Sequence, residues 1–169
     1  MGNVIIICTD TSSIVLSIEK SKNILISKLH LTHKPRARQC SEGVLYVAHR
    51  KKIVISKYVL DGCGTYGIDV QTVDNILIWD CEIKNNSWLG FAIAVCNGVT
   101  LIGNKIHDNN YPGQIGDCGK VKLKHNKIFN NKKGNKIKMR HIREVLSLIF
   151  CKYILKVTQI CFSCLGLSF

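Results

Sequence analysis

Proline is nearly absent, at two residues in 169, and aromatic residues make up only 7% of the chain. So few breakers argue against a loop-rich or disulfide-knotted fold and favour regular extended structure. Acidic residues are scarce as well, 11 against 24 Lys and Arg, for a net charge of +13. No secretory signal is evident in the opening MGNVIIICTD, which has no basic n-region, long apolar stretch or small-residue cleavage site, so none is expected unless the true amino terminus is missing. Ile6 stands where N-myristoylation requires Ser or Thr. Cytoplasmic placement is the expectation unless the amino terminus is truncated, and localisation is otherwise unassigned.

A hydrophobic content of 46% supplies a core for one domain and excludes disorder for most of the chain. The positive charge is concentrated: residues 120–156 carry twelve Lys and Arg against Glu144 alone, and the rest of the chain is close to neutral at +2. This describes a basic tail on a neutral body, so the charge assigns the body no specific nucleic-acid partner. The nine cysteines, an odd number with no leader, are expected as reduced thiols rather than bridges.

One pattern, apolar-x-apolar-x-x-x-x-apolar, recurs with anchors at Ile24, Ile53, Ile76, Val99 and Val121, spaced by 29, 23, 23 and 22 residues. Eight residues before each anchor lies a second alternating pair: Leu16/Ile18, Leu45/Val47, Ile68/Val70, Phe91/Ile93 and the weaker Gly113/Ile115. Short strands in so strict a phase predict one turn of a solenoid, with coils stacked about 4.8 Å apart so that like residues pile on like. The expected inward ladders are Ile26, Ile55, Ile78, Leu101, Leu123 and Leu31, Leu60, Ile83, Ile106, Ile128. At the fifth step after the anchor a tight bend turns Leu29, Tyr58, Cys81, Asn104 and Asn126 inward, and the amides there are expected to bond to backbone of their own and adjacent coils. Cys96 and Cys118, each three residues before an anchor, are expected to stack as buried thiols.

The runs Gly67-Ile68-Asp69-Val70, Asn75 to Asn86 and Gly98 to Asn109 resemble the right-handed parallel β-helix, or pectin-lyase-like, superfamily, including its carbohydrate-binding and periplasmic copper-processing repeat proteins. The resemblance covers about residues 14–131 and implies an all-β fold, a right-handed parallel β-helix of about five coils. Function is left open by it, because the superfamily includes lyases, hydrolases, epimerases, adhesins and inert spikes. The Trp-Ile-Asp-His-Cys run of pectate lyases falls out of phase with Ile78-Trp79-Asp80-Cys81, so no residue is carried over.

In such folds the groove beside the first strand binds the glycan, as the resemblance implies. Repeat phase places Ser17, Tyr46, Asp69, Ala92 and Gln114 outward in that column, with Asp69 its one carboxylate. Asp61 lies just upstream, in the glycine-rich turn that leads to Tyr66, and Asp61 with Asp69 are the candidate acid/base pair. Tyr66, Trp88 and Tyr111 precede successive first strands and offer ring faces to sugars, with Tyr46 and Gln114 as further contacts. The six histidines show no metal-ligand spacing, and no metal or other cofactor is expected. A single Cys161-Phe162-Ser163-Cys164 pair has redox or zinc spacing but no second pair.

The organisation read from the chain is a β-helix over residues 1–131 and a basic linker with an apolar, helical tail over 132–169. Lys152 and Lys156 interrupt the run of about 20 apolar residues that a membrane span requires. The tail is expected to cap the last coil or to lie on a membrane surface, not to cross one. The expected function is binding or processing of a polysaccharide or other glycan, binding before catalysis. If an enzyme, the protein would be a polysaccharide lyase or glycoside hydrolase; the alternative is a structural or interaction β-helix, a piece of a longer protein included, without an active site. Oligomeric state is not legible. The ladder assignment predicts that Ile78→Asp, which forces a carboxylate into a dry stack, costs about 4 kcal/mol or more and abolishes the cooperative urea transition.

Overall fold

The structure, a computed structural model, describes residues 4–19, 24–34 and 40–142. The expected helix over 144–162 and the Cys161–Cys164 pair lie outside the described residues, as does the side chain of Ile26. The described residues form fifteen strands: β1 (Val4–Cys8), β2 (Leu16–Glu19), β3 (Ile24–Ser27), β4 (Leu29–His33), β5 (Leu45–Ser56), β6 (Val59–Asp61), β7 (Tyr66–Trp79), β8 (Glu82–Lys84), β9 (Leu89–Ala94), β10 (Gly98–Ile102), β11 (Lys105–His107), β12 (Tyr111–Gly116), β13 (Lys120–Lys124), β14 (Lys127–Phe129) and β15 (Lys138–Arg140). No helix occurs among the described residues.

Each strand pairs in parallel with the equivalent strand of the next coil, giving a right-handed solenoid of about five coils with three faces. The first face stacks Leu16, Leu45, Ile68, Phe91 and Gly113. Ile24, Ile53, Ile76, Val99 and Val121 stack on the second, and Leu31, Leu60, Ile83, Ile106 and Ile128 on the third. β1 adds a strand before the first repeat, setting Ile6 beside Leu31. The expected ladders are the core: Ile55, Ile78, Leu101, Leu31, Leu60, Ile83 and Ile106 are buried. Leu123 and Ile128, in the last full coil, are only partly covered. Where Gly113 interrupts the first ladder, the Phe91 ring occupies the space that a side chain would take.

Three bends per coil turn the chain from face to face, and most of the described ones use one residue in the left-handed region. Lys28, Lys57, Asp80, Gly103 and His125 form the first such column; His49, Thr72, Val95, Asp117 and His141 the second; Asn85, Asp108 and Asn130 the third. A single left-handed residue breaks the alternation of the strand, so the residue after it also faces inward. This is how Tyr58, Cys81 and Asn104, then Val73, Cys96 and Cys118, then Asn86 and Asn109 become buried. Thr72 and Val95 are β-branched, for which this conformation is costly. They persist because the pairing of both neighbouring coils fixes the bend.

The inward amides close two ladders. Asn104 receives the Cys81 N–H on Oδ1 at 3.0 Å and donates through Nδ2 to Ile78 O at 2.9 Å; Asn126 repeats the pattern one coil on, as the repeat predicts. The second ladder, Asn86, Asn109 and Asn131, ends on Asn135. Gly67 and Gly90 flank it because a side chain at Gly67 would meet Asn86 Nδ2 and Ile83 Cγ2 at 2.7 Å. The sequence repeat stops at Asn131, yet strand pairing does not: β15 lies beside β12, with Gln114, Ile115 and Gly116 opposite Lys138, Met139 and Arg140. The basic segment therefore supplies a strand to the first face.

Cysteine chemistry divides by position. Cys81, Cys96 and Cys118 are free and buried, as expected, and burial pushes the Cys81 thiol up to about 11. Cys40 and Cys63 form a disulfide instead of remaining reduced. They lie in the loops entering the first face, in adjacent coils, where stacking puts equivalent positions side by side. The amide ladder predicts that Asn109→Leu, which fills the space but strands the Asn86 N–H and the Ile83 carbonyl, costs about 3 kcal/mol in urea melts.

Candidate functional site

The outward side chains of the first face form columns fixed by the register. One runs Ser17, Tyr46, Asp69, Ala92, Gln114 and Lys138; the next outward column includes Ala48, Gln71, Ala94, Gly116 and Arg140. Small residues at Ala92, Ala94 and Gly116 leave a depression in these columns. Tyr66, Asp69, Gln71, Gln114, Asp117, Arg140 and His141 line a groove of about 330 Å³ there.

Asp69 is half-buried in this groove, and Gln71 Nε2 donates to its Oδ1 at 2.7 Å. Burial raises the Asp69 pKa above the ordinary carboxylate value, and the Gln71 hydrogen bond partly opposes that rise. Asp117 stands at a left-handed bend on the groove wall, and Arg140 and His141 come from the basic segment. The groove thus combines two carboxylates, two amides, a guanidinium, an imidazole and a phenol. This set can donate to and accept from hydroxyl groups along a chain laid across the coils.

The candidates chosen from the repeat separate here. Tyr66, Asp69 and Gln114 are brought together, and Tyr46 lies beside Asp69 one coil earlier. Asp61 is not among the groove residues. It ends β6 on the third face, 6% exposed, where Asn85 Nδ2 donates to its Oδ1 at 2.7 Å. Tyr66 and Tyr111 are in register through Leu89, which puts Trp88 one residue out of that column. Trp88 is 47% exposed and meets the Tyr111 ring edge-on, with centroids 5.5 Å apart. Lys138 Nζ lies 4.7 Å from the Tyr111 ring centroid, a cation–π contact.

A family model described as right handed beta helix region matches residues 42–144. The chain belongs to the right-handed β-helix family. No curated protein and no solved structure is significantly similar to it. The matched region and the strand pairing both continue past Asn131 into the basic segment.

Four polar groove residues of this β-helix are absent from the repeat-based set: Gln71, Asp117, Arg140 and His141. Asp117 was legible in principle, because it follows Thr72 and Val95 at the coil spacing in the same left-handed column. Arg140 and His141 had no such signal, since the segment from Lys132 carries no apolar repeat. A larger cleft of about 840 Å³ runs along the second face, past Val54, Leu77 and Thr100, but no carboxylate lines it. Other titratable groups cluster on the third face. His107 Nε2 lies 3.2 Å from Glu82 Oε1 and Nδ1 lies 2.6 Å from Asp108 Oδ2, with the ring stacked on Phe129; Glu82 also lines a cavity of about 400 Å³ with Lys57, Asp80 and Lys105.

The raised Asp69 pKa has a defined sign in stability. A carboxylate whose folded pKa exceeds its unfolded value contributes stability that is complete below the ordinary 3.8 and is lost as pH rises through the raised value. Asp69→Asn is expected to remove that contribution, so urea midpoints of variant and parent should converge below about pH 4 and part above it, the variant being relatively more stable at neutral pH.

Proposed function

We propose that the first-face groove binds a polysaccharide, a neutral or weakly charged one, laid across successive coils. The observation that carries the reading is the convergence of Tyr66, Asp69, Gln71 and Gln114 in one groove beside the Trp88–Tyr111 rim. Amides and a carboxyl suit sugar hydroxyls, and exposed ring faces and edges suit the apolar sides of pyranose rings. Asp69 and Asp117 stand with Arg140 in the groove, so no excess of positive charge selects for phosphates. Binding takes precedence over catalysis because neither a calcium motif nor a family catalytic set occurs in the sequence.

Processing of the same glycan is a second reading, favoured by one observation: Asp69, its pKa raised by burial, shares the groove with a second carboxylate, Asp117. A half-buried acid and an exposed carboxylate are the kind of pair that divides into proton donor and base. In this reading Asp117, not Asp61, is the partner of Asp69.

A glycan array on the full chain tests both. Tyr66→Ala and Trp88→Ala are each expected to weaken the bound glycan about tenfold, with little change between low and high salt, whereas a polyanion on the basic segment would be lost steeply as salt rises. Absence of any bound glycan at millimolar concentration would leave a structural or interaction β-helix as the function. Release of new reducing or unsaturated ends that Asp69→Asn abolishes would establish processing.

A further inference from the structure

Three ligating side chains that play no part in the groove meet at the loops entering the first face. His33, at the end of β4, is 1% exposed, Cys40 is fully buried and Cys63 partly so. One ring nitrogen of His33 and the two Sγ atoms lie within 4.8 Å of one another. The Cys40 N–H donates to the Cys63 carbonyl at 3.2 Å, and the two Cα atoms are 5.4 Å apart. This backbone hydrogen bond is independent of the bond between the sulfurs, so it holds the two residues side by side in either redox state.

His33 itself is prepared as a ligand. Its Nε2 lies 2.9 Å from the Ser13 carbonyl. A carbonyl oxygen only accepts, so the neutral ring carries its proton on Nε2 and presents a bare lone pair at Nδ1. That Nδ1 is buried and has no hydrogen-bond partner. Ser13 is in turn fixed by Asp10, whose carboxylate accepts from the Ser13 hydroxyl at 2.6 Å and the Ser12 N–H at 2.9 Å. An imidazole oriented by a carbonyl on one nitrogen and open on the other is the usual arrangement of a metal-binding histidine.

We propose that Cys40 and Cys63, when reduced, join His33 in binding a thiophilic divalent cation of the zinc class, with the fourth position left to water, and that disulfide formation expels it. Ligand atoms around tetrahedral zinc are about 3.5–3.8 Å apart, a separation inside the span these three already occupy. Two thiolates cancel the charge of the ion, so the buried site carries no net charge. Two glutathione molecules break the S–S bond, giving two thiols and one glutathione disulfide. The cation then displaces the two thiol protons to solvent. Glutathione disulfide reverses the step by exchange, re-forming the Cys40–Cys63 bond and releasing the cation and two glutathione thiolates. The histidine spacing alone did not reveal the site, because Cys63 is brought to His33 and Cys40 only by coil stacking. The site does not depend on the glycan reading.

The test uses the full chain reduced with a phosphine and titrated with Co²⁺, then Zn²⁺. One equivalent of cobalt is expected to give a thiolate charge-transfer absorption that Cys63→Ser removes, His33→Ala weakens at least tenfold, and glutathione disulfide abolishes. An absorption unchanged by Cys63→Ser, or an affinity unchanged by His33→Ala, would overturn the proposal. Should either variant fail to fold, peptide-resolved alkylation of the reduced parent decides the matter. Zinc is expected to protect Cys40 and Cys63, and alkylation of both at the same rate with and without zinc would overturn it, whatever happens at Cys161 and Cys164.

Discussion

The described coils must satisfy the backbone groups of their sharp bends within the coil itself and from the coils above and below. A bend that turns a side chain inward removes its neighbours' N–H and C=O groups from water, and each such group left unpaired costs about 1–3 kcal/mol. Asn104 and Asn126 at one bend, and Asn86, Asn109 and Asn131 at another, meet this demand with a side chain that donates and accepts at once. Thiols take the same role less strongly where the bend holds Cys81, Cys96 or Cys118: their S–H groups face carbonyls at 3.4, 3.3 and 3.1 Å. The core between the bends is ordinary aliphatic packing, and its register follows from the bends.

That constraint also organises the surface. Once three bends per coil are fixed, each outward position becomes one rung of a column, and the chemistry of a face is set by which residues share a rung phase. On the first face, Asp69 and Gln114 flank the small Ala92, while Ala94 and Gly116 lower the neighbouring column, so a groove opens between polar rims. The strained Thr72 and Val95 bends belong to the same left-handed column as Asp117 and His141, which line the groove. A rigid scaffold carrying variable outward residues is the general arrangement by which a repeat fold acquires a binding surface.

The basic segment changes meaning once β15 is seen. Linear reading assigns residues beyond Asn131 to a tail and their charge to solvent or a polyanion. In the structure Lys138 and Arg140 extend the outward columns of the first face, and Lys138 sits against the Tyr111 ring. Part of the positive charge thereby balances Asp69 and Asp117 across the groove.

The sequence by itself determined the solenoid, its coil length, its inward ladders and the amide bend at Asn104 and Asn126, because each of these depends on side-chain type at a fixed spacing, and spacing is what a sequence displays. It also placed Asp69 and Gln114 on one outward face, since strict alternation carries that information. Only the tertiary structure decided which second carboxylate shares the groove with Asp69. Asp61 is nearer along the chain, but a bend carries it onto another face, whereas Asp117, two coils away, lines the same groove. The Cys40–Cys63 separation of 23 residues is one coil, as is the step from Cys96 to Cys118. Yet the first pair is bonded and the second is not. Spacing sets which residues become neighbours; the local direction of each Cβ, fixed only when the bends fold against adjacent coils, sets whether those neighbours bond.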